Sequence, residues 1–206
     1  MVTESKGWKG IIMQQDEENL ENESINDNKK NMVREVIDFI VYIAAIAIAC
    51  YLFITFVGQR TVVSGTSMVP TLQDNDNLIT DKISYRFRDP ERFDIIVLRV
   101  ESQHENFIKR IVGLPGETVQ IIAGRVYING ELLESDVYGN ELMISSGRAL
   151  QPIILGEDEY FVLGDNRNGS ADSRLEEVGN VHKSRIIGRA FVRIWPLNKI
   201  GLLKHG

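Results

Sequence analysis

From Val36 to Val57 the chain is almost entirely apolar, and its one charge, Asp38, sits near one end. About 20 such residues, wound as a helix, match the roughly 30 Å hydrocarbon core of a bilayer. A buried helix of a soluble protein is rarely this long and apolar on every side. The run also begins late for a cleaved secretory signal and leads into Val57-Gly58-Gln59-Arg60 rather than a small-x-small cleavage site. It reads as an uncleaved N-terminal transmembrane α-helix over 36–57. Lys29, Lys30 and Arg34 precede it, and only Arg60 follows within the next twenty residues. That asymmetry puts the N-terminus in the cytoplasm and residues 58–206 outside it, as a single-pass protein of the cell membrane.

The flanks divide accordingly. Residues 1–35 are polar and acidic, with too few apolar side chains to offset their ordering entropy, and read as a disordered cytoplasmic tail. The remainder reads as mainly β. Short strands are expected over 60–63, 77–83, 94–100, 106–112, 118–123, 125–128, 131–133, 159–163 and 186–194, punctuated by turn residues. Asn129-Gly130 is the strongest hairpin signal among them. This spacing predicts a β-barrel-like domain of antiparallel sheets. Residues 135–151 break the pattern as an irregular excursion.

Composition narrows the function classes. A net charge of −6 over 206 residues argues against a nucleic-acid binder. Cys50, the one cysteine, lies inside the apolar run, so there is no intrachain disulfide. His104, His182 and His205 are scattered and read as solvated surface residues, and no metal-ligand spacing or cofactor motif is present.

Three polar stretches carry the chemistry. In Ser64-Gly65-Thr66-Ser67-Met68-Val69-Pro70-Thr71-Leu72 a hydroxyl sits between a permissive glycine and a rigid proline. A serine hydroxyl needs a base before it can act as a nucleophile. No histidine has a suitable context, which leaves a lysine whose pKa is lowered by burial. Lys109 lies in Phe107-Ile108-Lys109-Arg110-Ile111-Val112, where a period of two puts Phe107, Lys109 and Ile111 on one face. Two readings stay open: an edge-strand lysine that deters aggregation, or an amine buried for use. Arg110 points to the other face, where it is expected to stay solvated. The third stretch, Gly164-Asp165-Asn166-Arg167-Asn168-Gly169-Ser170-Ala171-Asp172-Ser173-Arg174, reads by composition as a solvated turn.

Together, in this order, the three stretches resemble the motif set of bacterial type I signal peptidases (leader peptidases), in their compact Gram-positive-like form. Arg92-Phe93-Asp94-Ile95-Ile96-Val97 resembles the intervening box of that family. The resemblance implies a membrane-anchored serine endopeptidase that removes signal peptides from exported preproteins after Ala-x-Ala-like sequences, near the secretion translocon. It implies that Ser67 is the nucleophile and Lys109 the general base, with no metal or other cofactor. Ser170 would orient the amine, and Asp172 and Arg174 would support the loop. The Ser67 backbone N–H would supply one oxyanion donor. The second is open, because the position that bears a serine in some members is Gly65 here. Val63, Met68, Leu72, Phe107 and Ile108 would line shallow substrate pockets. The competing readings are a specialised relative that processes conjugation or pilin substrates, and an inactive anchored module that binds extended peptides. The self-cleaving repressor class, which shares a Ser–Lys pair, has no anchor.

Overall fold

The computed structural model describes residues 30–51, 58–100, 105–139 and 141–205. The chain divides into two compact units, Met1–Leu52 and Phe53–Gly206. The expected acidic tail, up to residue 29, and His104 lie outside the described residues.

In the first unit, residues 30–51 form one α-helix, α1, whose side chains are all exposed. Phe39, Ile40 and Tyr42 each show about half or more of their surface. No helix among the described residues is long and apolar enough to cross a membrane. The apolar run continues through 52–57, which are not described.

The second unit is built almost wholly of antiparallel β-structure. Its strands are β1 (Gly58–Val62), β2 (Asn77–Asp81), β3 (Ile95–Val100), β4 (Glu105–Gly113), β5 (Thr118–Ile122) and β6 (Arg125–Ile128). They continue with β7 (Glu131–Leu132), β8 (Ile153–Ile154), β9 (Glu159–Leu163), β10 (Val181–His182), β11 (Ile186–Trp195) and β12 (Gly201–Leu202). One sheet runs in the order β1-β2-β11-β3-β4-β9-β10, with β12 beside β11. The other runs β7-β6-β5-β8. The expected β domain of antiparallel sheets is thus built from two sheets, the path of the first running open from β1 to β10. The β6–β7 hairpin turns at Asn129 and Gly130, both with positive φ (53° and 87°), as an Asn-Gly turn requires.

The β4 strand decides the rest. It lies inside the sheet, with Lys109 opposite Ile96 of β3 and Arg110 opposite Leu163 of β9. That position removes the edge-strand reading of Lys109. Both faces of the sheet are covered. On β3, Ile95 and Val97 pack into one apolar cluster with Val63, Met68, Leu72 and Ile108, while Ile96, Leu98 and Val100 pack into another with Tyr160 and Val162. With apolar layers on each side, alternation cannot send any residue of β4 from Ile108 to Gly113 to water. Arg110 is therefore fully buried, contrary to the solvated position expected for it.

Candidate active site

Ser67 sits on a loop between β1 and β2 that backbone hydrogen bonds close on itself. Val63 N–H donates to Asp76 O (2.8 Å), Asn75 N–H to Val63 O (2.9 Å) and Leu72 N–H to Met68 O (2.9 Å). Gly65 has φ +88°, a conformation a side chain would strain. Its N–H donates to Asp74 Oδ1 at 2.8 Å and so is not free to meet an oxyanion. The Ser67 N–H has no acceptor among the described residues.

Lys109 reaches this loop from β4. Its Nζ donates to Ser67 Oγ at 2.8 Å and to Ile108 O at 3.1 Å. The Phe107 ring centroid lies 4.9 Å from the same nitrogen. Only 3% of Lys109 is exposed, so the amine has little water to stabilise its charge. Burial brings its pKa down to about 8, although the Asp172 and Asp165 carboxylates pull the other way.

The Gly164–Arg174 loop follows β9 and closes the site. Composition alone reads it as solvated, but Asp165, Arg167, Asp172, Ser173 and Arg174 are buried. Arg174 grips Asp172 through both carboxylate oxygens (2.8 and 2.9 Å), and Asp172 also accepts the Gly164 N–H at 3.1 Å. The Ser170 hydroxyl is buried and has no hydrogen-bond partner among the described residues. Lys109 donates to Ser67 and Ile108 instead. Gly164 makes the close approach possible: a methyl there would overlap Ser170 Oγ and sit 2.5 Å from Ser67 O. Gly164→Ala must therefore displace Ser170, the Ser67 carbonyl or the Gly164 backbone itself. We expect kcat to fall about a hundredfold, the usual cost of misplacing a reacting group by about 1 Å, with KM little changed in steady-state cleavage assays.

Several groups that hold the site together were not singled out by the sequence. Asn166 N–H donates to Ser67 O (3.0 Å) and its Nδ2 to Thr66 O (3.2 Å), tying the two loops together. Arg110, next to the amine-bearing residue, meets Asp165 through two bonds of 2.8 Å, and Thr71 Oγ1 donates to the same carboxylate. The Tyr138 ring covers the Arg110 guanidinium, with 3.6 Å from Cζ to the ring centroid. The signal for these was a charge on each face of one apolar strand, which alternation alone could not interpret.

One other expectation changes. His205 is not solvated: its Nδ1 accepts the Ile95 N–H at 3.2 Å and lies 3.3 Å from Asp94. Burial pushes its pKa down to about 4, so the ring is neutral near pH 7. Of the residues expected to line substrate pockets, Val63, Met68, Leu72 and Ile108 are mutually packed core residues, and Phe107 alone keeps partial exposure. No group of side chains able to hold a metal ion occurs among the described residues.

A hydroxyl hydrogen-bonded to a buried amine has the parts of a serine hydrolase in which lysine replaces histidine. The family model described as "Signal peptidase, peptidase S26" matches residues 33–195. A probable signal peptidase I-2 of Synechocystis is 45% identical over 155 residues, covering 72% of this chain and 68% of that protein. Signal peptidase I P of Bacillus subtilis subsp. natto is 32% identical over 182 residues, covering 84% and 97%. A crystal structure of a signal peptidase I from Enterococcus faecalis, 36% identical, covers 50% of this chain and 97% of its own, with a TM-score of 0.43. The chain belongs to the peptidase S26 family of signal peptidases. It is a serine peptidase of the type I signal peptidase class.

Proposed function

We propose that this protein is a membrane-anchored endopeptidase that removes signal peptides from exported preproteins with a Ser67–Lys109 dyad. The observation that carries this reading is the 2.8 Å hydrogen bond between Ser67 Oγ and the buried Lys109 Nζ. Neutral Lys109 takes the Ser67 proton as Oγ attacks the scissile carbonyl. The tetrahedral intermediate places its oxyanion against the unengaged Ser67 N–H. Lys109 then returns the proton to the leaving nitrogen, the C–N bond breaks, and the signal peptide remains as an ester on Ser67. Water, deprotonated by Lys109, hydrolyses that ester. Ser170 supplies a buried hydroxyl, packed against Gly164, to orient the amine. Asp172 and Arg174 hold its loop. The substrate binds extended, by strand addition along Val62–Gly65 and Phe107–Lys109, over a floor made by Val63, Met68, Leu72 and Ile108. A floor packed this tightly leaves room only for small side chains, in keeping with small-x-small cleavage.

The anchor is the apolar run over 36–57, with the N-terminus cytoplasmic and the catalytic unit outside, near the translocon. The 39–51 part of helix α1 supports it, since its side chains carry no charge and are exposed on every side, which is costly in water. Trp195, Leu197, Ile200 and Leu202, all more than half exposed along the stretch from the end of β11 into β12, are a second surface suited to lipid.

One preparation tests both parts. Membranes carrying the full chain, washed in alkaline carbonate, should retain the protein and cleave a preprotein after Ala-x-Ala. Membranes carrying Ser67→Ala should retain it without cleaving. Release of the protein by the wash would remove the anchor, and cleavage by Ser67→Ala would remove the dyad.

A further inference from the structure

The segment between β7 and β8 bears no motif, yet it makes the contacts that hold the Gly164–Arg174 loop. Asp136 meets the Arg167 guanidinium through two bonds of 2.6 Å, and both side chains are buried, at 7% and 4% exposure. Arg167 Nε donates in turn to Gly164 O at 3.1 Å. Gly139 leaves the space, since a methyl there would lie 2.7 Å from the Arg167 side chain. Further along, Asn168 Oδ1 accepts the Ile144 N–H at 2.9 Å and Asn168 Nδ2 donates to Leu142 O at 3.1 Å. Arg174 O accepts the Arg148 N–H at 3.0 Å. The held loop reaches the nucleophile directly, through Asn166 N–H to Ser67 O and through the close contact of Gly164 with Ser67 O and Ser170.

We propose that Asp136 is a positioning residue for peptide-bond cleavage: through Arg167 it fixes the Gly164–Ser170 turn and so sets Ser67 and Ser170 against the Lys109 amine. This rests on the Ser67–Lys109 assignment. Asp136 touches neither serine and acts only through the guanidinium. Without its carboxylate, Arg167 keeps one backbone acceptor, and its charge must turn toward water. The turn then loosens and admits water beside Lys109. The groups facing that amine are the Ser67 hydroxyl, the Ile108 carbonyl, the Phe107 ring and the Asp165 and Asp172 carboxylates. Hydration would raise the Lys109 pKa, whereas simple loss of a nearby negative charge would lower it. The direction of the shift therefore separates positioning from long-range electrostatics.

The test uses the full chain in detergent with an Ala-x-Ala preprotein, measuring kcat, KM and the acid limb of the pH–rate profile. Asp136→Ala should lower kcat about ten- to a hundredfold, leave KM within about twofold, and move the acid limb to higher pH. Asp136→Glu should recover most of kcat, and Glu134→Ala, an exposed change in the same segment, should match the parent. Asp136→Asn, which keeps the volume, gives the same readout if the alanine variant does not fold. A kcat within about twofold of the parent for Asp136→Ala or Asp136→Asn would overturn the proposal. So would a loss with an unmoved limb and no recovery in Asp136→Glu, which would mark a contact for stability alone. Ser67→Ala runs alongside: cleavage by that variant would defeat the dyad itself, whereas an inactive Ser67→Ala beside a fully active Asp136→Ala would defeat only the role of Asp136.

Discussion

Lys109→Met is expected to abolish cleavage, lowering kcat by about 10⁴-fold or more, while leaving the protein at least as stable as the parent. The activity loss follows because, among the described residues, the Lys109 amine is the one side-chain partner of Ser67 Oγ. Members of such catalytic units, removed singly, cost about this much. The stability result follows from the burial. A nearly inaccessible amine is costly to hold, and methionine fills similar space without a polar group. The two readouts, kcat and thermal midpoint in detergent, thus move independently. Residual cleavage above about a tenth of the parent rate would show that another group takes the serine proton.

Asp165→Ala is expected to destabilise the catalytic unit by about 3–5 kcal/mol, the usual cost of stranding one partner of a buried ion pair. Both Arg110 and Asp165 are inaccessible to solvent and are joined by two bonds of 2.8 Å. Without the carboxylate, Arg110 keeps the Phe93 carbonyl (2.8 Å), a longer bond to Lys204 O (3.3 Å) and the Tyr138 ring. None of these neutralises it. Replacing both partners with apolar residues, Arg110→Met with Asp165→Leu, is expected to recover most of the loss, because no charge is then left unpaired. Denaturant unfolding of the solubilised chain measures both. A single-variant cost below about 1 kcal/mol would mean that water reaches Arg110.

The residues that sequence could read are those whose meaning is local. Asn129-Gly130 forms its turn from its own torsional preferences, and β3 and β9 appear where β-branched and aromatic residues cluster. Ser67, Lys109 and the Gly164–Arg174 loop were legible as motifs, and Lys109 was legible as an anomaly on an apolar face. What local pattern could not give was the second layer over β4. Alternation says that Arg110 faces away from Lys109, but not that this side is also covered. His205 fails for the same reason: set in no motif, it looks solvated until β3 is found beside it. The 135–151 segment has no period or motif, and its use emerges only when Asp136 and Arg167, far apart in sequence, are seen joined. The residues that the resemblance places along shallow substrate pockets, Val63, Met68, Leu72 and Ile108, pack into one core cluster.

The pH dependence of kcat/KM tests the central claim most directly. Lys109 must be neutral to accept the Ser67 proton, and burial sets its pKa at about 8. Below that pH the amine is protonated and the rate should fall about tenfold per unit; above it the rate should level off. The profile should therefore be half-maximal near pH 8, in a detergent-solubilised preparation with a preprotein substrate. A limb near pH 6.5, the ordinary histidine value, or a rate that is flat from pH 6 to 9, would contradict a buried lysine as the base.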